Sequence, residues 1–367
     1  MATDRVVLTG GNGFLGFHVR AALKERGADA VNIPLGHSYD PVNSVRAVEG
    51  ADRVIHLAGV NRGSDQEVSE GNVVFAEQLA ESVQHCSVPP RTVVFANSVQ
   101  AANSGVYGIA KARSAKILRT AAESVGAEFH DVVLPNLFGE HGRPFYNAVT
   151  ATFCYLLARG EQPTVQNDSL LSLLHAQDAA DQLLGGVAGG SPPKLAVQLT
   201  VNDLLRRLVD IARLYERGEI PDVSSEFSRN LFNTYRSYTL RTLAPINLTK
   251  HADARGSFFE ILRSHGGTSQ SSFSTTAPGM SRGDHFHRRK VERFTVLSGT
   301  ATIAMRRIFT DNVVEFHVSG EVPMAVDMPT MWAHKITNTG PGELFTSFWS
   351  NDIFTSQAPD TISEAVF

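Results

Sequence analysis

Apolar and polar residues follow one pattern in the first two thirds of the chain and another in the last third. In the first part, short and nearly continuous apolar runs are typical of strands buried on both faces of a parallel sheet. These runs are residues 5–10, 53–59, 91–98 and 130–139. Apolar positions recur at helical spacing over residues 14–26 and 72–85. Strands that alternate with helices predict an α/β doubly wound, Rossmann-type domain.

The pattern changes after about residue 243, where a segment with Pro245 reads as a linker. Beyond it, short runs rich in β-branched and aromatic residues are separated by Gly, Pro, Asn and Asp, and no long helical period follows. Such a pattern predicts an all-β barrel or sandwich. We therefore expect two domains, residues 1–243 and 244–367, in agreement with a length of 367 residues.

Composition and charge remove several classes of protein. The chain is 42% hydrophobic and 19% charged, which is ordinary for a globular protein. Its formal net charge of −4 lacks the basic excess of a nucleic-acid-binding domain. No apolar run approaches the length of a membrane span, and the first residues do not resemble a signal peptide. With only two cysteines, Cys86 and Cys154, the sequence predicts a cytoplasmic protein without a disulfide framework.

A glycine-rich turn follows the first predicted strand and opens the first predicted helix. Its spacing is Gly10-x-x-Gly13-x-x-Gly16. Glycine lets the backbone turn sharply and approach a pyrophosphate, which then meets free N–H groups at the helix N-terminus. A tight structural turn is the alternative, but the strand–turn–helix context favours a dinucleotide site. The candidate cofactor-binding residues in this turn are Gly10, Asn12, Gly13, Phe14, Leu15 and Gly16.

A tyrosine and a lysine, Tyr107 and Lys111, are spaced to share one face of a helix. A neighbouring ammonium stabilises a phenolate, which suits the tyrosine to proton transfer. Ser98 ends a predicted strand nine residues earlier and could bind the same substrate oxygen. Taken without the other motifs, the same spacing favours a Tyr–Lys pair on the protein surface. The glycine turn, and a second loop at the end of the predicted strand 53–59, favour the catalytic interpretation. The cofactor-binding candidates in that second loop are Leu57, Ala58 and Gly59.

The choice between NADH and NADPH depends on the end of the second predicted strand. An acidic residue there would bind the ribose hydroxyls of NADH, but the segment 31–40 has none close to its apolar run, and Asp40 comes late. His37 is the nearest basic residue. We therefore expect NADPH, with NADH as the alternative.

These motifs resemble the extended short-chain dehydrogenase/reductase family. The resemblance implies that Tyr107 is the general acid, that Lys111 is its partner and a ribose ligand, and that Ser98 orients the carbonyl. The segment 134–139 is similar to the part of that family between cofactor and substrate. It implies that Pro135 lies at the cofactor and that Asn136 binds substrate, although Val133 replaces the usual basic residue.

A second group of candidate residues lies in the all-β part. His285 and His287 are two apart, so on a strand both could face one side. Glu292 and His334 could converge on them from neighbouring strands. Three imidazoles and a carboxylate suit Zn²⁺, and also Fe²⁺, Mn²⁺, Co²⁺ or Ni²⁺. We expect one divalent metal here, with zinc as the first candidate.

This spacing resembles both motifs of the cupin superfamily. Pro323 and Met331 replace two glycines of the second motif, which predicts an altered loop with an unchanged fold. The segment 253–260 resembles the DxRGxFxE segment of nucleotide-sugar 3,5-epimerases and implies that Arg255 and Glu260 contact the nucleotide. Similarity to those epimerases implies that His285 is a catalytic base. The neighbouring candidates His287, Glu292 and His334 instead favour His285 as a metal ligand. Lys290 is a candidate acid/base or substrate contact, and a solvated lysine is its alternative.

The combination of the two halves resembles the bifunctional CapF-type enzymes of capsular polysaccharide synthesis. That family implies C3 epimerisation of a UDP-4-keto-6-deoxy-N-acetylhexosamine in the cupin, followed by NADPH-dependent reduction of the C4 ketone, towards UDP-N-acetyl-L-fucosamine. We expect a homodimer that binds a UDP-sugar. The segments that carry the resemblance include residues 56–62, 97–101, 146–161, 231–238, 253–261, 283–299 and 357–361.

Three other functions are compatible with the same motifs. The chain could be a single-function ketoreductase whose cupin binds sugar or forms the dimer. It could be a metal-dependent oxygenase fused to a reductase, because a His-rich cupin can hold Fe²⁺. It could also be a sensor without catalytic activity.

Overall fold

The computed structural model describes residues 4–185, 192–254, 256–357 and 359–367. Contacts divide the chain into two compact units. Unit 1 comprises Met1–Phe138, Gly142–Val149 and Ser169–Thr200, and unit 2 comprises Gly139–His141, Thr150–Asp168 and Val201–Phe367. This division by contacts places residues 201–243 in unit 2, whereas the sequence places them in the first domain. The domain boundary at residue 243 stays a prediction.

Unit 1 is built on a five-stranded parallel sheet in the order β2-β1-β3-β4-β5. The order reverses between β1 and β3, so their carboxyl ends open a crevice of the kind that binds ligands in α/β proteins. This arrangement confirms the predicted α/β fold. The elements are β1 (Val6–Thr9), α1 (Phe14–Glu25), β2 (Ala30–Ile33), α2 (Pro41–Val48), β3 (Arg53–His56), α3 (Asp65–His85), β4 (Thr92–Ser98), α4 (Val106–Ser124) and β5 (Glu128–Leu134).

The apolar runs of this sheet are buried on both faces. Leu8 packs in one core cluster with Val19 of α1, whereas its neighbour Val7 packs in another with Leu79 of α3 and Leu118 of α4. Successive side chains of a strand point to opposite faces, so a continuous apolar run supplies both cores.

Two predicted elements differ from the structure. Helix α3 begins at Asp65, before the expected residue 72, because Ser64 and Glu67 form a reciprocal capping box at its start. The run 130–139 divides at Pro135, which lacks a backbone N–H, and its second part joins a three-stranded sheet β6-β7-β8. The next elements are β6 (Asn136–Phe138), α5 (Val149–Leu157), β7 (Leu170–His175), α6 (Ala176–Leu183), α7 (Pro192–Leu195) and β8 (Val197–Thr200).

Unit 2 contains two five-stranded sheets, β12-β19-β14-β17-β9 and β16-β15-β18-β13-β20, whose paired strands are antiparallel. A core cluster that includes Phe294, Ile303 and Ile336 draws its strands from both sheets, which confirms the all-β prediction. The elements are α8 (Val201–Glu216), α9 (Glu226–Arg236), β9 (Ile246–Asn247), β10 (Lys250–Asp253), β11 (Gly256–Phe259), β12 (Gln270–Thr276), β13 (Ser281–Phe286), β14 (Glu292–Ser298), β15 (Thr300–Arg307), β16 (Val313–Ser319), β17 (Met324–Met328), β18 (Trp332–Asn338), β19 (Leu344–Ser350) and β20 (Ile362–Ser363).

Within the described ranges, every helix is too short or too polar to cross a membrane.

Candidate functional site

The glycine-rich turn of unit 1 is formed by close approaches of the backbone that exclude side chains. Gly10 has a left-handed φ of 73°, and a Cβ there would lie 2.7 Å from the backbone nitrogen of Ala58. A Cβ on Gly16 would lie 2.6 Å from the Cα of Gly11. Gly13 is the N-cap of α1, and no side chain caps the helix there. Its first N–H groups therefore remain available to an anion, as the dinucleotide prediction requires.

The second cofactor loop, at residues 57–59, lies against this turn. The backbone N–H of Ala58 donates to the hydroxyl of Thr9 at 3.4 Å, and that hydroxyl lies 2.8 Å from Nδ1 of His56. Burial, with a smaller effect from Lys111, lowers the pKa of His56 to about 3. The imidazole is therefore neutral at physiological pH and acts as a fixed hydrogen-bonding group.

Two asparagines hold these loops, and the sequence carried no signal for either role. Asn32 of β2 accepts from the backbone N–H of Gly11 at 2.9 Å. Asn72 of α3 donates to the carbonyl oxygens of Val60 and Val68, both at 2.7 Å. The partners of both amides are backbone atoms, so they position the chain beside the predicted cofactor.

The predicted catalytic lysine of unit 1 is almost completely buried. Lys111 is 5% exposed, and its Nζ donates to the carbonyl oxygen of Ala96 at 2.7 Å and lies 4.0 Å from the ring centre of Phe95. Burial lowers the pKa of Lys111 to about 7, because a desolvated ammonium is unfavourable. Burial also raises the pKa of half-buried Tyr107, because a desolvated phenolate is unfavourable. The phenol therefore keeps its proton at neutral pH and can donate it.

The segment that follows Ser98 packs tightly on the start of α4. The Ser98 hydroxyl accepts from the backbone N–H of Gln100 at 3.2 Å. A Cβ on Gly108 would overlap the carbonyl oxygen of Gln100 and lie 2.7 Å from that of Asn103. Gly108, directly after Tyr107, thus lets the two segments meet. A glycine inside a predicted helix is the sequence signal that could have shown this.

A cavity of about 420 Å³ opens at Tyr107 within unit 1. The amide of Asn147 donates to the carbonyl oxygen of Asn61 at 2.6 Å, and Arg62 donates to that of Phe145. These bonds join the loop around residue 145 to residues 61 and 62. Besides Tyr107, the cavity has polar lining residues to which no motif assigns a role, namely Asn61, Arg62, Asp65, Gln100, Asn103 and Asn147.

The remaining predicted residues of unit 1 lie at the ends of strands. His37 is exposed in a single 3₁₀ turn after β2. Asp40 accepts from the backbone N–H of Asn43 at 3.2 Å and caps α2, so this carboxylate is engaged at a helix start. Pro135 is buried between β5 and β6, and Asn136 is exposed at the start of β6.

The four metal-ligand candidates of unit 2 converge. Their potential ligand atoms all lie within 4.8 Å of one another, and the three imidazole ring centres are 4.6–5.2 Å apart. His285 pairs directly with His334 across β13 and β18, and Glu292 begins β14. The neighbouring strands therefore bring together His285, His287, Glu292 and His334.

Hydrogen bonds define which nitrogen of two histidines faces the centre of this cluster. Nδ1 of His287 donates to the carbonyl oxygen of Asp360 at 2.6 Å, and Nδ1 of His334 donates to that of Trp332 at 3.0 Å. In the neutral rings, each Nε2 then carries a lone pair. These two atoms lie 3.1 and 3.2 Å from Oε2 of Glu292, so acceptors face an acceptor. Such an arrangement needs a positive charge between them, supplied either by a metal ion or by a proton on one of the rings.

The charge states agree with a cation site. Burial, assisted by the two other histidines, lowers the pKa of His285 to about 4, so this ring is a neutral donor of electrons. Burial alone would raise the pKa of Glu292, but hydrogen bonds and positive charge from His287 and His334 hold it well below its usual range, so this side chain is a carboxylate. Three imidazoles and one carboxylate form a ligand set that fits a divalent cation such as Zn²⁺.

Met331 occupies the position where the cupin motif has a glycine, and its backbone explains that preference. It adopts a left-handed φ of 64°, which favours glycine. Its N–H donates to the carbonyl oxygen of His287 at 2.8 Å, and its side chain is fully buried. The turn at this position is therefore left-handed without a glycine.

The other predicted residues of unit 2 have different surroundings. Lys290 is only 8% exposed, and its Nζ donates to the carbonyl oxygen of Pro359 at 3.1 Å. Glu260 is paired with Arg263 at 2.9 Å and lines a cavity of about 260 Å³ together with Phe258. Arg255 lies outside the described residues. Their roles in catalysis and substrate binding stay predictions.

The sequence matches two protein families. Residues 6–185 match the NAD dependent epimerase/dehydratase family, and residues 251–362 match the polysaccharide biosynthesis C-terminal domain. The chain is 30% identical to UDP-2-acetamido-2,6-beta-L-arabino-hexul-4-ose reductase of Pseudomonas aeruginosa, and the alignment covers 99% of both chains.

Solved structures show the same relationship. The capsular polysaccharide assembling protein CapF of Staphylococcus aureus is 29% identical, with a TM-score of 0.61 over 99% of this chain and 100% of that one. A second crystal form of CapF is 27% identical over the same shares, with a TM-score of 0.55. The chain belongs to the CapF-like family of nucleotide-sugar reductases, in which an NAD-dependent epimerase/dehydratase region precedes a polysaccharide-biosynthesis domain.

Proposed function

We propose that this chain is a bifunctional nucleotide-sugar enzyme. Its C-terminal domain epimerises C3 of a UDP-4-keto-6-deoxy-N-acetylhexosamine, and its N-terminal domain then reduces the C4 ketone with NADPH, towards a UDP-N-acetyl-L-fucosamine-type precursor. The relative from P. aeruginosa is a reductase of a UDP-2-acetamido-hexul-4-ose, and its similarity along the whole chain supports this substrate class. A homodimer in the cytoplasm is part of the same proposal.

One observation carries the epimerase part: three imidazoles and a carboxylate bring their potential ligand atoms within 4.8 Å of one another in unit 2. A core that served only for packing gains nothing from such a cluster, because burying polar and charged groups is unfavourable unless partners compensate for the lost water. We propose that His285, His287, Glu292 and His334 hold one divalent metal, with zinc as the first candidate. When bound, the metal supplies positive charge that stabilises an enolate at C4.

Epimerisation requires a base to remove the proton at C3, next to the ketone, and an acid to return a proton to the other face. Lys290 is our candidate for one of these steps. Its amine lies at the end of the turn that joins His287 to Glu292, and its bond to the carbonyl of Pro359 holds it in place. Because the step needs the ketone that reduction removes, epimerisation comes first.

Reduction uses the Ser98, Tyr107 and Lys111 side chains of unit 1. NADPH supplies the hydride when bound at the glycine turn. Tyr107 is neutral because burial raises its pKa, so it can protonate the oxygen that receives negative charge at C4. Lys111 in its charged form stabilises the resulting phenolate, and Ser98 orients the carbonyl. The cavity at Tyr107 has polar walls that suit a sugar ring.

The test uses the UDP-4-keto sugar with the full chain in deuterated water, followed by NMR of the product and by absorbance of NADPH. Tyr107→Phe should abolish NADPH oxidation and retain deuterium exchange at C3. His287→Ala should lose exchange and still bind NADPH. If the wild-type chain oxidises NADPH with this ketone but never exchanges C3, the protein is a single-function ketoreductase.

A further inference from the structure

Asp360, close to the C-terminus, contacts the candidate metal centre although no motif assigns it a role. Its carbonyl oxygen accepts from Nδ1 of His287 at 2.6 Å. Because a carbonyl can only accept, this bond keeps the proton on Nδ1 and directs the Nε2 lone pair of His287 to the centre. The backbone of Asp360 has a left-handed φ of 43°, which places its carbonyl and its carboxylate on the same turn.

The carboxylate of Asp360 binds the turn that joins two candidate ligands. Its Oδ1 accepts from the backbone N–H of Arg288 at 3.1 Å, and its Oδ2 accepts from those of Arg289 and Lys290, both at 2.8 Å. The guanidinium of Arg289 adds a contact of 3.3 Å. Consecutive N–H groups that converge on one anion form a rigid backbone nest. The separation between His287 and Glu292 depends on the shape of this turn.

The residues after Asp360 continue along the strand that carries the ligands. Ile362 and Ser363 of β20 pair with Phe286 and His285 of β13. Farther along, the N–H of Glu364 donates to the carbonyl oxygen of Asp284 at 3.0 Å. We call residues 359–366 the C-terminal strap. It supports the ligand strand from one side, while β18 with His334 lies on the other.

We propose that Asp360 is a positioning residue for the metal centre. Its carbonyl orients the ring of His287, and its carboxylate sets the turn that leads to Glu292. This inference rests on the metal centre put forward under Proposed function. The carboxylate anchors the turn that carries this carbonyl, and loss of the partner that orients a metal ligand commonly weakens metal affinity by about 10- to 100-fold. We expect a loss of that size for zinc when the carboxylate is removed.

The test measures zinc alone, on the full-length chain after the metal has been removed. Zinc affinity is determined by competition with a coloured chelator for the wild type, Asp360→Asn and Asp360→Ala. Both substitutions should weaken binding, and alanine should weaken it more, because asparagine tolerates a left-handed backbone and alanine does not. Asp352→Asn is the matched control, since Asp352 is an exposed aspartate of unit 2. It should bind zinc as the wild type does.

Cobalt supplies a readout that a purely structural role would not change. The visible spectrum of bound Co²⁺ reports ligand geometry, so Asp360→Asn should shift it at saturating metal, while Asp352→Asn should not. If Asp360→Ala fails to fold, Asp360→Asn decides the matter. Equal zinc affinity and equal cobalt spectra in wild type and Asp360→Asn would overturn the role of Asp360 and leave the metal centre intact. A wild-type chain that binds neither metal would overturn both.

Discussion

The side-chain nitrogen of Lys111 donates to the carbonyl oxygen of Ala96 at 2.7 Å, two residues before Ser98 on the same strand. The bond joins α4 to the end of β4. It holds the lysine close in the strand to Ser98, which is proposed to orient the ketone. Burial lowers the pKa of Lys111 to about 7, whereas the usual lysine value is 10.5. The amine therefore changes charge within the physiological range.

The first prediction concerns the pH dependence of reduction. Below pH 7 the amine of Lys111 is protonated and can stabilise the Tyr107 phenolate, and above pH 7 it progressively loses that charge. We expect kcat/KM for NADPH, which reports groups of the free enzyme, to fall as the pH rises through about 7. Lys111→Arg should keep its charge and remove this alkaline limb, and Lys111→Met should be slow at every pH. An alkaline limb that persists in Lys111→Arg would assign the titration to another group.

The second prediction concerns Gly108. Gly108→Ala adds a Cβ that overlaps the carbonyl oxygen of Gln100, so the segment after Ser98 must move. Overpacking of this kind costs about 1–3 kcal/mol, which outweighs the helix propensity gained with alanine. We expect a lower melting temperature and a lower kcat for reduction. Ile109→Ala, at a position 56% exposed on the same helix, is the control and should change neither. A Gly108→Ala chain as stable and active as that control would contradict the packing described here.

The third prediction concerns the choice of cofactor. His37→Glu places a carboxylate in the exposed turn after β2, where it would repel the 2′-phosphate of NADPH and bind the ribose hydroxyls of NADH. We expect the ratio of kcat/KM for NADPH to that for NADH to fall by about tenfold, which corresponds to roughly 1.4 kcal/mol. Val42→Glu adds the same charge at a position 66% exposed on α2 and should leave the ratio unchanged. The same response in both variants would remove His37 from the cofactor site.

The fourth prediction concerns a buried ion pair in unit 2. Arg293 contacts Asp327 through two hydrogen bonds of 2.6 and 3.0 Å, and both side chains are almost fully buried. Asp327→Asn leaves the guanidinium buried without its counter-ion, which should lower the free energy of unfolding by about 3–5 kcal/mol. Denaturant unfolding measures this change. Asp311→Asn, an exposed aspartate of the same unit, should lie within about 0.5 kcal/mol of the wild type.

The ion pair also predicts how stability depends on pH. Burial alone would raise the pKa of Asp327, but Arg293 overcomes this effect and holds it below 3.8. A carboxyl with a lowered folded pKa contributes stability above its unfolded pKa, and that contribution disappears as the pH falls through the folded value. The wild type should therefore lose stability more steeply than Asp327→Asn below about pH 4. Parallel pH profiles would show that the pair does not supply this stability.

The fifth prediction concerns removal of the metal. After treatment with a chelator, the chain should lose C3 exchange and melt at a lower temperature, since a ligand at 1,000 times its Kd stabilises a protein by about 4 kcal/mol. NADPH binding should persist, because the glycine turn lies in unit 1. Zinc added back should restore both exchange and melting temperature. Exchange that survives complete metal removal would restrict the cluster to a structural role.

The sequence predicted well those features that depend on residues close together in the chain. Hydrophobic periodicity indicates the two fold classes, because burial imposes a period of two on strands and about 3.6 on helices. The spacing of His285, His287 and Glu292, with His334 of the second motif, identified all four clustered side chains before any coordinates. The glycine turn is also readable, because its close approaches involve residues only a few positions apart.

Local sequence patterns predicted element boundaries and turn conformations less well, because these depend on tertiary contacts. The run 130–139 looks like a single strand, yet Pro135 divides it between two sheets. The start of α3 depends on the hydrogen bonds between Ser64 and Glu67, which the apolar period does not report. Met331 shows that a left-handed turn can persist without glycine when surrounding contacts support it.

By itself, the sequence determined which fold classes form and which side chains are available for chemistry. Only the tertiary structure decided what those side chains contact: Lys111 meets Ala96, and His287 meets Asp360, 73 residues later. The physical reason is that charge state and ring orientation depend on burial and on partners distant in the chain. A motif specifies the donors and acceptors, whereas the fold specifies which of them face one another.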